Sequence, residues 1–458
     1  MGMKHVLVLP FPAQGHVNPL MHFSQKLTQQ GFKVTFINTD FNHKRKVSAT
    51  NEHVNHDGFG FRLISVPDGL GPHDDRNDLA SLCMAILSTM PCLLEKVIRD
   101  INAFDNGSEK ITGIVADANM AWSLEIANKL GIKSALFCPC SAAIFVLQDN
   151  IPRLIEDGII DSDGKTFGFP IVKGKFQLSP RMPVMDTADI PWCCIGDSTE
   201  QKIIYNYIAN MMQYSQLTDW WLCNSNSELE LGALSLSPKI LPIGPLKEID
   251  DEFRSLGQFW EEDLSCLTWL DQQSPCSVIY IAFGSFTVFD PDQFKELALG
   301  LELTNKSFLW VVREDASGGT KNAYPDEFQG TCGKIVKWAP QQKVLSHPAT
   351  ACFISHCGWN STMEGVSNGV PFLCWPYFAD QLFDKAYICD MWNVGLGFDL
   401  DEKGLISRWE IKKKVDQLLG DENLRGRCQK LKEMIINNNA VGGQSYENFR
   451  KFEEWLKG

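Results

Sequence analysis

The sequence contains no G-x-x-x-x-G-K-[ST] phosphate loop, no H-E-x-x-H pair and no C-x-x-C. P-loop nucleotide hydrolysis, zincin chemistry and CxxC-type redox or zinc frameworks are thereby excluded. No G-x-G-x-x-G follows a strand-like run, since GFGFRL (58–63) and GLGFDL (395–400) both lack the third glycine. That removes the main support for a nicotinamide dehydrogenase. No stretch of 18 apolar residues occurs, so no membrane-spanning helix and no integral membrane association are expected. Positive charge is also short. Lys and Arg number 42 against 56 Asp and Glu, a net charge of −14. Such a chain is a poor match for nucleic acid or an anionic membrane surface.

What is present is ordinary for a globular protein of more than one core: 458 residues, 44% hydrophobic and 21% charged. The 15 cysteines are odd in number and scattered. Cys138/Cys140 and Cys193/Cys194 stand too close in sequence for ordinary bridges, so reduced thiols and a cytoplasmic location are expected. The N-terminus enters a short strand with no apolar h-region or small-residue cleavage site, and Val6 stands where a myristoylation signal has Ser or Thr. The sequons at Asn106, Asn305 and Asn360 then read as chance matches.

Short apolar runs alternate with helical stretches, which predicts an α/β fold. HVLVLP (5–10), KVTFIN (33–38), GIVAD (113–117) and KSALF (133–137) read as strands, with helices over 19–31 and about 119–130. WWLCN (220–224) and KILPIG (239–244) read as the last elements of the first half. The acidic, aperiodic stretch 245–265 reads as a linker. SVIYIAF and GSFTVFDP, from Ser277, then repeat the opening: strand, turn of small residues, helix. Two Rossmann-like domains facing across a cleft are expected, over 1–244 and 266–440. An amphipathic helix in 441–458 is expected to return towards the first domain.

The segment Trp338–Gln381 carries the chemistry. ACFIS (351–355) is a buried strand and HCGWNST follows at once, with a helix predicted to open near Asn360 and Ser361. A strand, a glycine turn and a helix N-terminus present free N–H groups and the positive end of the helix dipole. That is an anion site, to which His356, Asn360 and Ser361 can add donors. Glu364 lies one turn further on the same helix face, where a carboxylate can accept ribose hydroxyls. Trp338 and Gln341 fall in a loop after KIVK (334–337), and an indole face can stack on a base. Asp380 and Gln381, in a loop after VPFLCW (370–375), suit paired sugar hydroxyls.

A second constellation lies near the N-terminus. The loop PFPAQGHVNPL (10–20) places His16 at the C-terminal edge of the first strand, and Asp117 ends the strand GIVAD at the same edge. Imidazole, with a reference pKa of about 6.5, can take a proton from a hydroxyl at neutral pH. A carboxylate on its other nitrogen fixes the tautomer and stabilises the imidazolium.

Trp338–Gln381 resembles, without a gap, the 44-residue signature box of plant family 1 UDP-sugar-dependent glycosyltransferases, and the similarity extends from PFPAQGHVNP to the C-terminal helix. The resemblance implies the two-domain GT-B fold. It implies that Trp338 stacks on uracil, that Gln341 and Glu364 hold ribose, and that His356, Asn360 and Ser361 hold the diphosphate. Trp359, Asp380 and Gln381 would hold the sugar, and Ser285 in FGSFT resembles the family's small hydroxyl residue near the phosphates. His16 would be the general base and Asp117 its orienting partner, in a direct displacement that inverts the anomeric carbon. No metal and no cofactor are expected beyond the UDP-sugar co-substrate. The DxD sequences at Asp161–Asp163 and Asp399–Asp401 read as an Asx-type turn and an exposed acidic loop.

Gln381 at the end of the box resembles enzymes preferring UDP-glucose, and Trp359 supplies no cation for a glucuronate. Residues 76–100, 138–155 and 181–215, with Trp192, are rich in Met, Phe, Leu, Ile and Cys and suit a lipophilic acceptor. The family's acceptors include flavonoids, phenylpropanoids and terpenoids. A monomer is expected. A sugar-nucleotide epimerase and a non-catalytic UDP-sugar-binding protein of the same fold are the alternatives. The first would need other acid and base residues, and the second would lack His16 or Asp117.

Overall fold

A computed structural model describes residues 3–50, 60–103, 110–166, 174–247, 259–313 and 324–458. The chain divides into two compact units, Met1–Trp260 with Asn438–Gly458, and Glu261–Asn437. Of the stretch 245–265, residues 248–258 lie outside the described residues, as does the sequon at Asn106.

The first unit is built on β1 (His5–Leu9), β2 (Lys33–Thr39), β3 (Phe61–Val66), β4 (Ile111–Asp117) and β5 (Lys133–Cys138). A short antiparallel pair, β6 (Lys175–Phe176) and β7 (Met185–Asp186), stands apart, and β8 (Trp221–Cys223) and β9 (Ile240–Pro242) complete the sheet. Its order is β3-β2-β1-β4-β5-β8-β9, parallel throughout. All five residues of β1 are buried, as a strand covered by helices on both faces requires.

The helix Gln444–Lys457 puts Phe449, Phe452 and Leu456 into this core. Phe452 lies 6.0 Å from Phe23, and Trp455 stacks on Trp220 at 4.9 Å. Each such ring contributes about 1.5–3 kcal/mol by leaving water. A Cβ on Gly113 would stand 2.9 Å from Leu456, so the strand must carry glycine where the helix crosses it.

The second unit repeats the plan with β10 (Val278–Ala282), β11 (Ser307–Val311), β12 (Gly333–Val336), β13 (Thr350–Ser355), β14 (Phe372–Cys374) and β15 (Gly395–Gly397). The order is β12-β11-β10-β13-β14-β15, again parallel. Both sheets reverse direction of growth between their first and fourth strands. β1 pairs with β4 (Leu9 opposite Ala116), and β10 with β13 (Ala282 opposite Ser355). The crevice beyond the strand ends at such a reversal is where open α/β sheets bind ligands.

Three local expectations are corrected. The first helix begins at Gln14, so His16 lies in its first turn and not in a loop. The Ala13 carbonyl already accepts the His16 and Val17 N–H groups at 2.9 Å. Burial of Val17, Leu20, Met21 and Phe23 outweighs the poor helix propensity of Gly15 and Pro19. In the second unit, Gln341 and Gln381 open the short helices Gln341–Ser346 and Gln381–Ala386. The signature helix runs Trp359–Asn368 with Gly358 as its N-cap, which makes Asn360 and Ser361 helical residues, not caps.

The helix Leu79–Ala103 is long and apolar enough to cross a membrane by length and composition. Its buried residues Leu82, Ile86, Met90, Leu94, Ile98 and Ile101 recur at three- and four-residue spacing, the stripe of a core-facing helix.

Candidate active site

At the first sheet's reversal, His16 Nδ1 and Asp117 Oδ2 lie 2.7 Å apart. Asp117 is fully buried and His16 is 25% exposed. The other carboxylate oxygen, Oδ1, accepts the Asn119 N–H at 2.8 Å. The Asn119 carbonyl in turn accepts the Tyr207 hydroxyl at 2.6 Å. The carboxylate is thus held at Oδ1 by the backbone and turns Oδ2 to the imidazole. An ionised carboxylate requires the proton on Nδ1, which puts the imidazole lone pair on Nε2. The Phe11 ring, at 5.3 Å, stands beside the imidazole.

At the second reversal the two half-turns Gly284–Thr287 and His356–Gly358 meet. A Cβ on either Gly284 or Gly358 would come within 2.6 Å of His356 Nε2, so both glycines make room for one ring. Burial pushes the imidazole down to about 4, helped by the nearby Arg313 charge and opposed by the Ala282 carbonyl. His356 is therefore neutral at pH 7, and its buried Nδ1 has no partner among the described residues. Cys357, between it and Gly358, holds a left-handed backbone (φ 67°), as does Ala379 (φ 55°) ahead of Asp380. Such strain in non-glycine residues gathers at functional turns. Ser285 is half-buried in the first of these turns.

Gln341, Ser361 and Glu364 form one network. Gln341 Nε2 donates to Ser361 Oγ at 2.8 Å and to Glu364 Oε2 at 2.6 Å. The Tyr280 hydroxyl donates to Gln341 Oε1 at 3.1 Å, and Gln342 Nε2 to Glu364 Oε1 at 3.3 Å. Ser361, read as a phosphate donor, is here tied to the carboxylate side of the helix. Burial pushes the Glu364 carboxyl up to about 7 despite the two glutamines. Trp338 is half-buried in the loop before Gln341, and its carbonyl accepts the Asp263 N–H at 3.0 Å.

Gln381, 5% exposed, accepts the N–H groups of Tyr377 and Phe378 on Oε1, at 2.8 and 3.2 Å. This commits its carbonyl to the loop that carries Asp380 and leaves the amide Nε2 as its group for a ligand. Trp359 is 3% exposed, its indole 6.2 Å from Trp392, so what it offers at the helix end is backbone N–H.

Of the apolar segments read as acceptor lining, Trp192 is 1% exposed and donates to the Gly164 carbonyl at 2.9 Å. It is a core residue. The two DxD sequences close on their own backbones: Asp161 Oδ1 accepts from Asp163 and Lys165, and Asp401 Oδ1 from Lys403 and Leu405.

Sequence reasoning missed Arg313. It is 5% exposed, and its guanidinium donates to the Gly284 carbonyl at 2.6 Å and the Thr287 carbonyl at 3.2 Å, bracketing Ser285. Its signal was an arginine at the end of the apolar run FLWVVR, where a charge is buried only for a reason. Tyr280 and Gln342 were missed as well, because hydrogen-bond support for Gln341 and Glu364 leaves no spacing pattern.

Two doubly wound parallel sheets, one with a His–Asp pair at its reversal and one with a glycine turn at a helix end, are the plan of a GT-B glycosyltransferase. The chain superposes on Phytolacca americana UGT2 complexed with UDP-2fluoro-glucose and pterostilbene, with a TM-score of 0.80 at 23% identity over 99% of both chains. A glycosyltransferase N-terminal domain model matches residues 4–149, and the UDP-glucoronosyl and UDP-glucosyl transferase model matches residues 256–434. UDP-glycosyltransferase 83A1 of Arabidopsis thaliana is 45% identical over 464 residues, 100% of this chain and 97% of its own. The 7-deoxyloganetin glucosyltransferase of Gardenia jasminoides is 33% identical, over 99% and 97%. The chain belongs to the plant UDP-glycosyltransferase family and is a UDP-glycosyltransferase.

Proposed function

We propose that the enzyme transfers glucose from UDP-glucose to a hydroxyl of a small lipophilic acceptor, with inversion at the anomeric carbon. The observation that carries this reading is the 2.7 Å contact of His16 Nδ1 with a fully buried Asp117. Held in that tautomer, His16 takes the acceptor's hydroxyl proton on Nε2. The freed oxygen pair forms the bond to the anomeric carbon as the bond from that carbon to the β-phosphate oxygen breaks. The electron pair leaves with UDP, and the proton stays on His16 as an imidazolium that Asp117 stabilises.

The second unit's residues suit the nucleotide. Trp338 offers an indole face to uracil, and Glu364, steadied by Gln341 and Gln342, accepts the ribose hydroxyls. The N–H groups at Trp359 and Asn360, the helix dipole, Ser285 and His356 suit the diphosphate. The leaving charge is then met by backbone and dipole, and the reaction needs no metal ion. Asp380 and the Gln381 amide suit the sugar hydroxyls. Names among the relatives favour glucose, since the Gardenia enzyme is a glucosyltransferase and the Phytolacca complex holds a fluoro-glucose donor with a stilbene. All 15 cysteines are free, which fits a reducing, cytoplasmic setting.

The test is incubation with UDP-glucose and a panel of phenols and terpenoid alcohols, with and without EDTA, reading products by mass spectrometry and anomeric configuration by NMR. A β-glucoside formed equally in EDTA is expected. An epimerised UDP-sugar, or no product with any acceptor, would overturn the proposal.

A further inference from the structure

The sugar-side segment of the second unit carries a thiol pair that the transfer reaction does not use. Cys374 is the last residue of β14, and the chain runs from it directly into the loop that ends at Asp380 and Gln381. Cys389 lies in the π-helical turn Tyr387–Met391, which continues the helix that Gln381 opens. The two sulfurs are 3.7 Å apart.

Their surroundings differ in the way an attacking and a resolving thiol require. Cys374 is 1% exposed, whereas Cys389 is partly open to solvent. Cys374 faces Cys389 on one side and Cys357 on the other, and burial holds its thiol well above the usual range. Cys389 Sγ donates to Cys374 Sγ, and Lys385 and Lys414 place positive charge near the Cys389 thiol, with Asp390 opposing them. Lys414 also pairs with Asp399 at 3.2 Å and Glu410 at 3.4 Å, so Lys385 is the main positive charge available to a Cys389 thiolate. A partly exposed cysteine beside positive charge and within 3.7 Å of a second thiol is the arrangement found in oxidation-sensitive proteins.

We propose that Cys389 and Cys374 form a reversible oxidation site through which a hydroperoxide switches off sugar transfer. The Cys389 thiolate attacks the distal oxygen of a hydroperoxide, the O–O bond breaks, and the alcohol or water leaves after taking up a proton. This gives a sulfenic acid on Cys389. The Cys374 sulfur then displaces that hydroxyl as water and forms the disulfide, so two thiols have together given two electrons to one peroxide bond. A disulfide needs sulfurs about 2.05 Å apart. Closing the 3.7 Å gap therefore draws the helix headed by Gln381 against the end of β14. A shift of about 1 Å in a positioning group can cost up to about 10²-fold in rate. The loss of activity rests on the reading of Asp380 and Gln381 as sugar ligands. The bond itself does not.

The experiment treats the full-length enzyme with stoichiometric hydrogen peroxide, blocks remaining thiols with iodoacetamide and maps linked peptides by mass spectrometry. Turnover of UDP-glucose is measured before treatment, after it, and after dithiothreitol. A Cys374–Cys389 linked peptide is expected, with turnover down by about tenfold or more and restored by dithiothreitol. Cys389→Ser and Cys389→Ala should keep wild-type turnover and resist peroxide. A Cys357–Cys374 link in its place, or no link to Cys389 in inactivated enzyme, would overturn the site. A linked peptide with unchanged turnover would overturn the switch. Inactivation of both Cys389 variants at the wild-type rate would do the same.

Discussion

With Glu364 as the proposed ribose ligand, nucleoside binding should depend on pH in one direction. In the free enzyme burial holds its carboxyl at about 7, against an ordinary value of about 4.3. Ribose hydroxyls donating to the carboxylate favour its charged form, so binding lowers the pKa and releases a proton. A complex that holds fewer protons than the free enzyme is disfavoured by acid. Affinity should rise with pH through about 7 and level off above it. A group of that pKa is about nine-tenths ionised at pH 8 and about one-tenth at pH 6, so affinity should fall about tenfold between them. Uridine is the probe, because the terminal phosphate of UDP itself titrates near pH 6. Calorimetry at pH 6, 7 and 8, in buffers of different ionisation enthalpy, reads both the affinity and the proton released. Glu364→Gln should bind uridine more weakly at pH 8 and show no pH dependence. A wild-type affinity that is flat from pH 6 to 8, with no proton release, would refute the assignment of Glu364 to the ribose.

His16→Ala should lower turnover about 10²- to 10⁴-fold while UDP affinity holds, and a parallel loss of UDP binding would remove the base assignment. Arg313→Met should weaken UDP binding about tenfold or more, as expected when charge-assisted hydrogen bonds of about 1.5–3 kcal/mol stop ordering the Gly284–Thr287 turn. Uridine binding should change little, Arg313→Lys should recover part of the loss, and equal losses for UDP and uridine would assign Arg313 to general stability. Gln381→Glu keeps an acceptor for the Tyr377 and Phe378 N–H groups but removes the amide donor. Its kcat/KM for UDP-glucose should fall about 5- to 150-fold with UDP inhibition near wild type, and an unchanged kcat/KM would exclude Gln381 from the sugar.

The sheet plan was legible because buried parallel strands announce themselves. HVLVL, VIYIA and TACFIS are apolar runs too short for helices, each with a proline or glycine within the next three residues. Helix starts were less legible. Gly15 and Pro19 argue locally against a helix at Gln14, and only the buried face of Val17, Leu20 and Phe23, a tertiary fact, decides the matter. The candidate site was legible where it is tied to spacing, as along the signature helix, where Ser361 and Glu364 share Gln341. Arg313 was not, because its task is to hold the carbonyls of Gly284 and Thr287, a contact across neighbouring strands that no local spacing encodes.

The two half-sites follow from one topological rule applied twice. In each sheet the first strand and the fourth are neighbours, so the loops leaving them diverge over opposite faces and open a crevice at the strand ends. The first sheet sets His16 there, in the helix after β1, with Asp117 at the end of β4, and the second sets Ser285 and His356 there, after β10 and β13. The difference between them is electrostatic. In the proposed reaction the Asp117 carboxylate at the first reversal orients an imidazole that gains a proton. At the second, burial and Arg313 hold the imidazole at about 4, so His356 cannot compete for that proton at neutral pH. In the proposed reaction the two histidines, one following β1 and the other following β13, thus take opposite tasks, a base in one sheet and a neutral hydrogen-bonding group in the other. Weakening the Arg313 charge should therefore raise the pKa of His356 and leave His16 unchanged. NMR titration of the two imidazoles in Arg313→Met would show it, and equal shifts at both would refute the division of labour.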